Sequence, residues 1–176
     1  MNFRPAIQIK TAIRAMRDVV IPAMDGMNRQ AAEQAGLVVA MLQLLERTLP
    51  LSYRYDCDEL QRSVALAREL RALGGAEPAL AALSDRIAAA ATAAGNTLDR
   101  TLADPTELES ACRDMRAEIS AFVTAAYRDA PAATKQAVAR ATLDSYREQL
   151  LRERAWVISQ GWESEPEKLQ PIEAMI

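Results

Sequence analysis

The chain has 176 residues, half of them apolar but only 5% aromatic, a net charge of −3 and no histidine. That length is most simply one domain with an aliphatic core. The missing imidazole excludes Ser-His-Asp and Cys-His catalysis, histidine-ligated haem and Glu-x-x-His carboxylate–metal sites, and no basic excess exists to bind a phosphate backbone.

Six helices are predicted. The first opens at Pro5, a residue tolerated at the start of a helix. Ile9, Ile13, Met16 and Val20 lie on one of its faces, and Pro22 and Gly26 are expected to end it. Asn28 caps the second helix, which runs through RQAAEQAGLVVAMLQLLERTL to Pro50. Its middle is apolar on nearly every side, the pattern of a central, buried helix. The run GLVVAMLQLLERTL is broken by Gln43 and Glu46 and reads as too short to span a bilayer.

The stretch LSYRYDCDEL, residues 51–60, crowds two phenols, an arginine, a thiol and three carboxylates together. The preferred reading is a helix start, with Asp56 or Asp58 as N-cap and acids in the first turn suiting the helix dipole. A hard-cation site at Asp56, Asp58 and Glu59 is the lesser alternative, because the spacing and glycine of a calcium loop are missing. Tyr53 and Tyr55 are expected to lay their rings on neighbouring helices. Leu60, Val64, Ala67 and Leu70 continue this third helix to a stop at Gly74-Gly75.

Glu77-Pro78 opens an alanine-rich fourth helix with a stripe of Leu80, Leu83, Ile87, Ala91, Ala94, Leu98 and Leu102, which Gly95-Asn96 is placed to bend or split. Asp104-Pro105 starts the fifth, whose stripe is Leu108, Cys112, Met115, Ile119, Phe122 and Ala126. Cys57 and Cys112 are too few for a disulfide framework or a four-thiolate zinc site and read as reduced, packed thiols. The sixth helix runs from about Ala132 to Gln160, with Leu143, Tyr146, Leu150 and Val157 as its face and Glu148–Arg152 as an i,i+4 pair.

Arg147, Arg152 and Arg154 form a charge-dense stretch on the sixth helix. It reads as a solvated face, or as an arginine surface toward an anionic partner. Trp156 and Trp162 stand at the exit of that helix, balanced between interface anchors and core plugs. The tail WESEPEKLQPIEAMI has two prolines and no period, so it reads as extended. Its apolar residues, Trp162, Leu169, Ile172, Met175 and Ile176, predict that it lies along a groove.

The fold expected is therefore all-α: an antiparallel bundle of about six helices over residues 1–160, with an extended acidic tail over 161–176. No signal peptide is evident, so a cytoplasmic protein is predicted.

The segment Ala12–Leu49, with a helix ending in VVIPAM, a short break and an alanine-rich helix ending in LLERTL, resembles the opening of a family of small bacterial helical proteins. Members of that family accompany phosphotransferase-type kinases and acyl-CoA dehydrogenases, some as accessory subunits of a hydroxyacyl-CoA kinase. The resemblance implies a subunit role and carries no site residues. The expected function is a non-enzymatic accessory or oligomerisation protein acting through helix surfaces. Its partners would be other copies of itself and a larger enzyme, with no cofactor, metal, nucleic acid or membrane. The alternative is an anion-binding bundle or atypical enzyme with an inter-helix pocket using Arg54, Asp56 or the arginines of the sixth helix.

Overall fold

The computed structural model describes residues 4–24, 28–100 and 103–176. The chain is all-α, without strands among these residues. Helix α1 is Pro5–Ala15, continued by a π-helical segment Met16–Val20 and an α-turn Ile21–Met24. The others are α2 Arg29–Thr48, α3 Ser52–Gly74, α4 Ala81–Leu98, α5 Pro105–Asp129 and α6 Ala132–Trp156. Short 3-10 turns follow at Leu49–Leu51, Pro78–Leu80, Ile158–Gln160, Pro166–Lys168 and Ile172–Ala174.

The stop signals act where the backbone needs them. The Asn28 side chain accepts from the Ala31 amide at 3.1 Å, and Asp104 accepts from the Thr106 amide at 2.7 Å, so both helix starts are capped as expected. Pro22 does not end the first helix. Its missing N–H and its clash with the carbonyl four residues back are absorbed by the π segment, where the Ile21 amide donates to the Met16 carbonyl. Gly26, the second expected stop, lies outside the described residues, as does Leu102.

Pro50 likewise tightens the chain into a 3-10 turn without breaking it, and the Thr48 hydroxyl donates to the Leu44 carbonyl at 2.9 Å. Helix thus continues from Arg29 to Gly74, a run long and apolar enough to cross a membrane by length and composition. The expectation drawn from the shorter run before Pro50 is corrected on that point.

Two compact units are distinguished: residues 1–52 with 153–175, and residues 53–152 with 176. In the second unit α4 and α5 pack along their length. Their stripes, with Leu60, Val64, Ala67 and Leu70 of α3, form one aliphatic core in which Leu60, Leu70, Leu80, Ile87, Leu108 and Phe122 are fully buried. Gly95-Asn96 does not split α4, which continues to Leu98. In the first unit α1 packs against α2, and Ile13, Ala35, Val39, Thr48, Ala155 and Ile172 are buried. The C-terminal segment belongs to this unit. Gly161 turns it in the left-handed conformation (φ 72°), Arg154 clamps Glu163 through two 2.8 Å bonds, and Ile172 is 1% exposed.

Two packing expectations are corrected. Helix α2 is not a buried central helix: it buries only Ala35, Val39 and Thr48. On α6 the large residues Leu143, Tyr146 and Leu150 are exposed, while Val138, Ala141 and Thr142 are buried. Small side chains permit the close approach of neighbouring helices, so the alanine face is the one that packs.

Candidate functional site

The loaded stretch after Leu51 sits inside α3, not at its start. The helix begins at Ser52 directly after the 3-10 turn, so Asp56 and Asp58 occupy interior positions and cap nothing. The turn already supplies hydrogen-bonded geometry to the first amides, which leaves no orphan donors for an aspartate at these positions.

Asp58 has a different partner. Its Oδ2 accepts from Arg62 Nε at 2.8 Å and lies 3.3 Å from Arg152 Nε. Arg152 is 3% exposed, and its Nη2 donates to Gln149 Oε1 at 2.6 Å. Gln149 donates through Nε2 to the Tyr55 hydroxyl at 3.1 Å, and Arg62 Nη1 meets Glu148 Oε2 at 2.7 Å. The expected Glu148–Arg152 pair is thus replaced by Glu148–Arg62 and Asp58–Arg152. Burial, and then the adjacent Arg62 charge, hold the Arg152 guanidinium below its ordinary pKa. A charge this deep persists because a carboxylate and an amide meet it. Arg152 therefore leaves the solvated-face reading of its stretch, while Arg147 remains exposed.

The other groups of the stretch are engaged as well. Glu59 pairs with Arg116, and Arg54 donates to the Ile176 carbonyl. The Cys112 thiol points to the Asp56 carbonyl at 3.7 Å. Burial pushes Cys112 up to about 12 and also raises Cys57, despite a hydrogen bond with Tyr53 that opposes the shift. Neither thiol has the depressed pKa of a nucleophile. Asp56 is raised by desolvation, with Glu59 and Glu109 adding repulsion. Among the described residues no group of three His, Cys, Asp or Glu side chains is placed to hold a metal ion.

Two hollows along α3 and α6, about 400 and 270 Å³, share Glu69, Ala141 and Asp144. Another, about 420 Å³, is lined by Arg68, Arg71, Ser84 and Asp85. The two tryptophans part company: Trp162 is 77% exposed and Trp156 half-buried.

The feature that sequence reasoning missed is on α2. Leu37, Val38, Met41 and Leu45 are 57, 46, 67 and 51% exposed. At 3.6 residues per turn they share one stripe with Gln30 and Gln34, and no charged side chain falls on it. The buried positions Ala35 and Val39 lie on another side, while Thr48, in line with Gln30, closes the C-terminal end of the stripe as a buried residue. The C-terminal segment reaches this helix off the stripe, where Gln160 Nε2 donates to the Ala40 carbonyl at 3.1 Å. A signal was available: a helix apolar all round presents more surface than one neighbour covers.

Compared with protein-family models, characterised proteins and solved structures, the chain finds no match.

Proposed function

We propose that the protein is a non-enzymatic helical accessory or oligomerisation subunit, and that it works through the uncharged apolar stripe of α2. One observation carries the reading: four large aliphatic side chains in register on one helix, each about half exposed or more. Contiguous apolar patches on soluble chains mark association surfaces, and a stripe of this spacing is the form in which helices meet helices. Both thiols and Asp56 are raised in pKa, and Asp58, Arg152 and Arg154 are engaged with other side chains, which favours a binding role over catalysis. The resemblance of residues 12–49 points to an acyl-CoA-metabolising kinase as the larger partner, and Trp162 and Arg147 stand as further exposed contact residues.

Quantitative purification of tagged chain from its own host, with wild type and Met41→Glu side by side, tests this. The reading expects such an enzyme, or further copies of the chain, to be retained in stoichiometric amount by wild type and lost with the variant. Retention unaffected by the substitution, or absent from both, overturns it.

The Arg68–Arg71 hollow supports a second reading, an anion-binding bundle, since Ser84 Oγ beside it is buried without a hydrogen-bond partner. A rise in melting temperature with acyl-CoAs or organic acids, lost in Arg68→Ala, would favour it.

A further inference from the structure

Resting on the accessory reading, we infer that the occupant of the α2 stripe is the α2 stripe of a second copy, antiparallel across a two-fold axis that passes the stripe at the level of residue 40. A two-fold contact sets each surface against itself, so a patch carrying one sign of charge repels its own image. The stripe of Gln30, Gln34, Leu37, Val38, Met41 and Leu45 carries none.

The charges that border it match under this symmetry and no other is needed. Glu33 and Arg47 are fourteen residues apart, which places them within ~40° of each other around the helix. Glu33 lies about 40° and Arg47 about 80° beyond Leu37, so both stand on that side of the stripe, Arg47 the farther out and dependent on its long side chain to reach across. With the axis at the level of residue 40, positions whose numbers add to about 80 come level. Glu33 then faces Arg47 of the second copy, and the same pair repeats on the other side of the axis. In the same register Leu37 enters between Met41 and Leu45 of the second copy. Glu33 is already held by Arg29 at 3.0 Å, which leaves its second oxygen to accept another donor. Among the described residues Arg47 has no ion-pair partner. A parallel pairing would set Glu33 level with Glu33 and Arg47 level with Arg47.

Size fits as well. The four aliphatic side chains present on the order of 400 Å² per copy, within the range of the largest patch on a soluble chain. With their rim on both copies they bury on the order of 1,200 Å², the lower end of specific interfaces. That predicts a dimer of micromolar affinity. A lipid surface is the poorer occupant: an in-plane helix needs a cationic polar face toward anionic headgroups, whereas in α2 Arg29 and Arg47 are balanced by Glu33 and Glu46.

Sedimentation velocity on the full chain tests the inference. Wild type at tens of micromolar is expected near twice 19.3 kDa, and Met41→Glu near the monomer mass with unchanged helical content. Glu33→Arg and Arg47→Glu should each weaken the dimer about tenfold, and the double exchange should restore most of the loss. A monomeric wild type, a dimer indifferent to Met41→Glu, or a double exchange no better than the singles each overturns it. A monomeric wild type that still loses an enzyme partner on Met41→Glu overturns the two-fold pairing alone and leaves the accessory reading in place.

Discussion

Arg152 shows how one side chain changes meaning between sequence and structure. In the sequence it is one arginine among three, four residues after a glutamate. In the fold it is buried, and its charge is held by Asp58 of another helix. Asp58→Ala should therefore cost about 3 kcal/mol, since it leaves a guanidinium uncompensated. Asp58→Ala with Arg152→Met should recover most of that loss; chemical denaturation of the three proteins checks it.

Asp56 makes the opposite kind of prediction. Its folded pKa is raised above the ordinary 3.8 by burial and by Glu59 and Glu109. Stability is then full below the unfolded value and is lost as pH rises through the folded one. Asp56→Asn should raise the melting temperature at pH 7, and the gain should shrink to nothing toward pH 3. Capping signals were legible where proline or asparagine fixed the local geometry, at Asn28 and Asp104. They misled at Asp56 and Asp58 because nothing local in LSYRYDCDEL says that the preceding turn is already helical. That information lies in how the backbone passes Pro50.

At the scale of elements, the helices whose apolar positions form one narrow stripe were readable. Every stripe residue of α5 named from its spacing is buried, because such a stripe leaves a single way to face a core. Helices α2 and α6 were not, for opposite reasons. Helix α2 is apolar on too many sides for spacing to choose one. Helix α6 offers two candidate faces, and the smaller residues won because they let helices approach.

Two glycines separate packing from propensity. A Cβ at Gly74 would lie 2.7 Å from Phe122 Cζ and 3.0 Å from Leu80 Cδ1, both in the filled core, whereas one at Gly36 meets nothing within 4 Å. Gly74→Ala should destabilise by about 1–3 kcal/mol. Gly36→Ala, in the interior of α2, should stabilise by about 0.5–1 kcal/mol. Thermal unfolding of the two variants gives both signs in one experiment.

For the whole molecule, the helical class was legible from long intervals between breakers, and the division into two units was not, since its boundaries fall inside α3 and α6 and leave no linker in the sequence. The acidic tail read as extended, yet it folds as 3-10 turns with Ile172 buried, because a few spaced apolar residues suffice to fix a short segment. The association surface was hidden by the same ambiguity that hid the α2 face: periodicity locates apolar residues but does not say which of them a chain leaves uncovered.

Hydrogen–deuterium exchange of the wild-type chain, read over α2 across a concentration series, tests most directly whether that surface is used. The prediction is that the amides of residues 37–45 become more protected as concentration or purified partner rises, while those of α4 and α5 stay constant, and that Met41→Glu abolishes the change. Exchange over residues 37–45 that is equally fast at every concentration and with every partner supplied would contradict it.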